Sequence, residues 1–193
     1  MADNESKVTV RGRFIGGALW EAKTDPQNPE KKPKFSACVV LDEGEAEKVN
    51  AIVERAVAEK WGKKIPAGMQ DWGVRRGDDP EYEASYEKDF INPKSTRKPQ
   101  ALAKRAGMVG PVARDEDMIY PGCRVAVSVS AYAYDGDRKA NIKAGVTLNC
   151  RAVMYLGKGE RLDGSFDMSN ADSEFADMEA EDIDVADEDD FLS

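Results

Sequence analysis

Two long runs of strict alternation limit what this chain can fold into more than any other feature. From Cys123 to Tyr134, Val125, Val127, Val129, Ala131 and Ala133 share one parity, and Arg124, Ser128, Ser130, Tyr132 and Tyr134 share the other. After the turn Asp135-Gly136-Asp137 the pattern resumes from Gly145 to Leu156. There Val146, Leu148, Cys150, Ala152, Met154 and Leu156 are expected to look inward, and Thr147, Asn149, Arg151 and Tyr155 outward. Strand side chains point alternately to opposite faces, so a period of two predicts strands with one face buried and one open.

Other segments agree with a β framework. Residues 7–15 alternate with Val8, Val10 and Phe14 inward and Lys7, Thr9, Arg11 and Arg13 outward. Gly16-Gly17 then bends the chain, a Pro- and Lys-containing loop runs from Asp25 to Pro33, and a second strand is expected from Lys34 to Leu41. From Glu45 to Trp61 the apolar residues Ala46, Val49, Ile52, Val53, Ala56, Val57 and Trp61 fall three and four apart, one face of a helix capped by Gly62. Residues 62–90 lack a period and are read as an insertion with short irregular elements. Strands with one helix between them fit a mainly β, small antiparallel barrel.

Charge divides the chain in two. Residues 163–193 hold thirteen acids and no Lys or Arg, whereas the whole chain has 28 bases and 37 acids. The body, residues 1–162, therefore keeps all 28 bases against 24 acids, a net +4 inside a chain of net −9. Phe166, Phe175, Ile183, Val185 and Phe191 are too scattered to offset ordering entropy and self-repulsion, so the tail is expected to be disordered. The expected organisation is one domain over 1–162 and a disordered acidic tail over 163–193. A basic body tethered to a polyanion suggests a body that binds something negative and a tail that competes for the same place.

Composition also excludes. Histidine is absent, which removes imidazole-base catalysis and every zinc site with a His ligand. Cys38, Cys123 and Cys150 are isolated in apolar runs and read as reduced core residues rather than a disulfide or metal set. Asp78-Asp79 and Asp115-Glu116-Asp117 are the acidic clusters open to Mg²⁺, but both sit in polar loop sequence. Gly157-Lys158-Gly159 lacks phosphate-loop spacing and reads as a turn ending a strand. No run has the length of a membrane span and the N-terminus is polar, so a cytoplasmic location is expected, with no membrane partner and no cofactor or metal.

Three constellations point to function. Tyr132, Tyr134 and Tyr155 share an outward parity with Arg124 and Arg151, and single-stranded nucleic acid needs both cations for its backbone and flat faces for its bases; tyrosines also decorate strand faces simply because they pack well there. The segment Asn92-Pro93-Lys94-Ser95-Thr96-Arg97-Lys98-Pro99 has no acid and two prolines, which suits either an extended phosphate contact or a solvated loop. The tail closes on Asp187-Glu188-Asp189-Asp190-Phe191-Leu192, an acidic cluster with an aromatic tip that suits docking better than solubilisation alone.

In combination the segments Gly17-Ala18-Leu19-Trp20-Glu21, Lys34 to Leu41, Ile91-Asn92-Pro93-Lys94-Ser95 with Arg97 and Pro99, Tyr120-Pro121-Gly122-Cys123 leading to Tyr132-Ala133-Tyr134-Asp135, and Gly145-Val146 through Gly159-Glu160-Arg161-Leu162 resemble a family of phage single-stranded DNA-binding proteins. The resemblance covers nearly all of the body and rests on the order and spacing of the segments. It implies an OB-fold-like barrel and sequence-tolerant binding of single-stranded DNA in phage replication, recombination and repair, inside the bacterial host. It also implies an acidic tail that contacts replication proteins such as DNA polymerase. On this reading Arg11, Arg13, Lys94, Arg97, Lys98, Arg124 and Arg151 contact phosphates, Trp20, Tyr132, Tyr134 and Tyr155 stack on bases, and residues 187–192 bind the partner. Two other classes stay open: an acidic DNA mimic acting through its tail, and a Mg²⁺-dependent nuclease. Oligomeric state is not readable.

Overall fold

The computed structural model describes residues 7–26, 29–137 and 142–162. The tail, with its expected disorder and its Phe191-Leu192 tip, lies outside the described residues. In chain order the elements are β1 (Lys7–Gly16), β2 (Phe35–Ser36), β3 (Cys38–Leu41), α1 (Glu45–Trp61), β4 (Gln70–Trp72), β5 (Arg75–Arg76), β6 (Asp89–Ile91), β7 (Lys94–Ser95), β8 (Gln100–Arg105), β9 (Met108–Pro111), β10 (Arg124–Tyr134) and β11 (Gly145–Gly157).

One curved sheet carries the order β5-β6-β3-β1-β10-β11-β8-β9, with β4 also paired to β11. Its central ladders, β3 to β1, β1 to β10 and β10 to β11, are antiparallel, as alternation in adjacent long strands predicts. The two contacts of β11 with β4 and β8 are parallel. Hydrogen bonds do not close the barrel, but the chain nearly does: β4 and β5 stand at opposite ends of the path from β11 to β6, and only Gly73 and Val74 separate them. The fold is OB-fold-like and mainly β. Residues 62–90, expected to be irregular, thus supply the seam of the barrel.

Inside the curve, Val10, Val39, Ile91, Val125, Val127, Val129, Val146 and Val153 are fully buried. The helix caps this core with Val49, Ile52, Val53, Ala56 and Val57, the face its spacing predicts. Each such valine or isoleucine side chain contributes about 1.5–3 kcal/mol on leaving water. Gly62 ends the helix at φ 56°, its N–H donating to the Ala58 carbonyl at 2.8 Å. Among the thiols, burial pushes Cys38 and Cys123 up to about 11 and Cys150 to about 12.

The strand expected from Lys34 to Leu41 divides at Ala37. β3 joins the main sheet, whereas β2 pairs with β7 in a separate ribbon through Phe35–Ser95 and Ser36–Lys94. Ala37 N–H donates to the Pro93 carbonyl at 3.3 Å, which continues the attachment past the split. The ribbon lifts the acid-free segment off the edge of the sheet and over the outer face of β11.

A second departure lies in β11. Val129 pairs with Cys150 and Ser128 with Ala152, so Arg151 is an extra residue, a β-bulge. Beyond a bulge the parity of a strand reverses. Val153 is consequently the buried residue, Tyr155 packs against the core and Leu156 is 42% exposed. The outward assignment of Tyr155 and the inward ones of Ala152, Met154 and Leu156 are therefore corrected.

Candidate nucleic-acid interface

The outer face of the sheet can be read from its register. Lys7 pairs with Ser130, Thr9 with Ser128, Arg11 with Ala126 and Arg13 with Arg124. Across the next ladder Ser130 meets Asn149, Tyr132 meets Thr147 and Tyr134 meets Gly145. Residues paired in a ladder share a face, so these rows form one surface running from the tyrosines to the arginines.

A groove of about 530 Å³ lies where the β2–β7 ribbon overhangs this surface, lined by Lys34, Lys94, Ser95, Thr96, Arg97, Lys98, Ser130, Thr147, Asn149, Cys150 and Arg151. Five of the lining residues are cations and none is an acid. Lys34, Lys94, Arg97, Lys98 and Arg151 form no ion pair among the described residues. The Ser95 hydroxyl oxygen accepts the Arg97 N–H at 3.0 Å and tightens the turn. The bulge places Arg151 at the groove wall, and the hydroxyls and amide of Ser130, Thr147 and Asn149 form its floor.

Exposed rings adjoin the groove. Thr147, a groove residue, is the cross-strand partner of Tyr132, which is 56% exposed. Tyr132 and Tyr134 stack on each other with centroids 6.5 Å apart and planes at 18°. Gly145 makes room for this pair, since a Cβ there would come within 2.7 Å of the Tyr134 hydroxyl and 2.8 Å of the Gln70 carbonyl oxygen. Just past the tyrosines, Asp135 accepts the indole N–H of Trp61 at 3.0 Å and the Lys60 ammonium at 2.6 Å, fastening the helix end to β10. The Lys60 contact, then that of Trp61, holds the Asp135 carboxyl below its ordinary range.

A second cleft, of about 590 Å³, contains Trp20, Pro99, Leu102, Pro111, Val112 and Arg114 and shares Lys98 with the basic groove. Arg114 reaches Glu21 there at 3.3 Å. The two depressions meet at one cation.

The structure thus gathers Lys94, Arg97, Lys98, Arg151, Tyr132 and Tyr134, with Trp20 adjoining through Lys98. Arg11, Arg13 and Arg124 share the outer face but stand four and six residues along β10 from the Ser130 row, about 14 and 20 Å away at strand rise. Arg13 is occupied by the Gly122 and Glu160 carbonyls at 3.3 and 2.8 Å, and Arg124 is paired with Asp42. Tyr155 is withdrawn: burial raises its pKa first, with Tyr120 and Cys123 adding to the shift. Lys34 was missed because only the long-range β2–β7 pairing brings it to the groove. Trp72 was missed because residues 62–90 show no period, yet it pairs with Thr147 and is 43% exposed. Among the acids once open to Mg²⁺, Glu116 is paired with Arg105 and Asp117 with Arg161 at 2.8 Å.

A curved sheet capped by one helix, with an acid-free groove and exposed rings outside it, defines an OB-fold-like binding barrel. The sequence assigns it further: the family model described as Enterobacter phage Enc34, ssDNA-binding protein, matches residues 6–191, and the chain belongs to that family. Among solved structures it is similar to the single-stranded DNA-binding protein from bacteriophage Enc34 in complex with ssDNA, at 13% identity and a TM-score of 0.67, covering 82% of this chain and 90% of that one. It is also similar to gp2.5, a single-stranded DNA-binding protein encoded by bacteriophage T7, at 13% identity and a TM-score of 0.51 over 94% and 98% of the two chains. At such identities the likeness is one of fold. A curated relative, protein p50 of Acyrthosiphon pisum secondary endosymbiont phage 1, is 24% identical over 126 residues. That match covers 61% of this chain and 64% of the relative's length.

Proposed function

We propose that this chain is a sequence-tolerant single-stranded DNA-binding protein that protects and organises single strands during phage DNA replication, recombination and repair in the host cytoplasm. The observation that carries the reading is the groove: five cations, no acid, and a stacked tyrosine pair beside it. Cations along a strand release counterions and supply affinity without reading sequence, and every base offers a face to an aromatic ring. Family membership supports the same ligand. The protein binds rather than catalyses, because the paired acids Glu116 and Asp117 and the lack of histidine leave little for hydrolytic chemistry.

On this reading the body, 1–162, is the DNA-binding domain, and the acidic tail, 163–193, serves it in two ways. Tethered to a basic body, it competes for the groove at high effective concentration without strong intrinsic affinity. When DNA displaces it, residues 187–192 become available to replication proteins such as a DNA polymerase.

A mobility-shift experiment comparing single-stranded DNA, duplex DNA and RNA, with and without residues 163–193, tests the proposal. Retardation of single-stranded DNA regardless of sequence is expected. Truncation after Leu162 is expected to tighten binding most at low salt, where charges are least screened. A chain that shifts no oligonucleotide, with or without its tail, overturns the assignment in favour of a DNA mimic. Strand cleavage that stops with chelator overturns it in favour of a nuclease.

A further inference from the structure

The chain has three tryptophans, Trp20, Trp61 and Trp72. Trp61 spends its N–H on Asp135 at 3.0 Å, and Trp20 packs partly against the core. Trp72 lies at the barrel seam, is 43% exposed, and its N–H has no acceptor among the described residues. Exposing so large a ring forgoes more burial than exposing any other side chain would.

Its position is nevertheless fixed. The Gln70 N–H donates to the Ala144 carbonyl at 2.9 Å, which anchors the start of β4. The Asp71 carboxylate accepts the Gly73 N–H at 2.7 Å, and Gly73 lies so near Val53 that an added Cβ would come within 2.9 Å of it. The Arg75 guanidinium lies over the Trp72 ring at 5.9 Å and over the Phe90 ring at 4.7 Å. Such contacts hold a cation against an aromatic face. The ladder sets Trp72 beside Thr147 and Thr147 beside Tyr132, so indole and phenol share the outer face two strand spacings apart, about 10 Å.

Resting on the functional reading above, we infer that Trp72, backed by Arg75, is a base-stacking residue that extends the Tyr132–Tyr134 pair across β11 to the seam of the barrel. A single strand leaving the basic groove past Thr147 lays an unpaired base on the indole, and Arg75 adds a positive charge beside it. The interface therefore runs from the ribbon to the seam, and residues 70–76 form its far wall.

The test uses the full chain carrying Trp20→Phe and Trp61→Phe, so that Trp72 is the single indole. Titration with oligo-dT follows tryptophan emission, while the anisotropy of a labelled oligo-dT reports binding independently. Emission is expected to be quenched in step with binding. In the otherwise unchanged chain, Trp72→Ala is expected to weaken binding roughly 5- to 150-fold, the equivalent of about 1–3 kcal/mol for one stacked base, and Trp72→Phe to recover most of it. Normal anisotropy with unaltered Trp72 emission, or Trp72→Ala with wild-type affinity and an unchanged melt, overturns the inference alone. If the wild-type chain binds no oligo-dT at any salt, the functional reading falls and takes the inference with it.

Discussion

Arg151 and Tyr155 are four residues apart on one strand, and sequence parity gave them a common outward face. The bulge at Arg151 separates them: the arginine stays at the groove and the tyrosine turns to the core. Sequence alone could not reveal this, because a bulge adds a residue without leaving a compositional mark. The contrast makes a prediction. Tyr132→Ala should weaken single-stranded DNA binding by about 1–3 kcal/mol on every sequence and leave the melting temperature nearly unchanged. Tyr155→Ala should leave affinity nearly unchanged and cost about 2–4 kcal/mol of stability, approaching the loss for a large core residue. Thermal melts and oligonucleotide titrations of the two variants separate these roles, and equal effects on binding would remove the distinction. Arg13 teaches a similar lesson, since its charge reads as a phosphate contact until two backbone carbonyls are found to occupy it.

Elements with a sustained period were legible. The alternation of β1 and β10 and the three-and-four spacing of α1 settle their bounds and buried faces, because both periods arise from local geometry. The short strands were not legible. Gln100–Arg105 and Met108–Pro111 form a hairpin turned by Ala106 and Gly107 at φ 47° and 83°, yet neither segment alternates long enough to announce itself. The groove is a product of such pieces, since it exists only where the two-residue ribbon crosses β11. Gly145 couples element to site, and Gly145→Ala should displace the Tyr134 ring. We expect a loss of about 1–3 kcal/mol in stability from overpacking, together with weaker DNA binding. A variant that melts as wild type and binds as wild type would show that Tyr134 does not need that space. The core thiols set a pH limit for the same elements. Their folded pKa values, about 11, 11 and 12 against an ordinary 9.0, mean that the native state holds protons the unfolded chain releases. Their contribution to stability is complete below pH 9 and is lost as pH rises towards 11–12. Urea midpoints should fall over that range, and less steeply in a Cys150→Ala variant; an identical slope would exclude the thiol as a cause.

At the scale of the whole molecule, a net charge of −9 conceals a body of +4, and the described structure concentrates five of that body's cations around one groove. The charge division was legible in the sequence; where the cations converge was not, because Lys34 and Arg151 meet the 94–98 segment only through tertiary pairing. The central claim is that this groove holds the phosphate backbone of a single strand. The most direct measurement is the salt dependence of oligo-dT binding for the wild-type chain and for one carrying Lys94→Ala, Arg97→Ala and Arg151→Ala. With about 0.7 counterion released per contact, five cations give a log–log slope of about −3.5, and the triple variant should fall to about −1.4. Equal slopes and equal affinities in the two proteins would contradict the account.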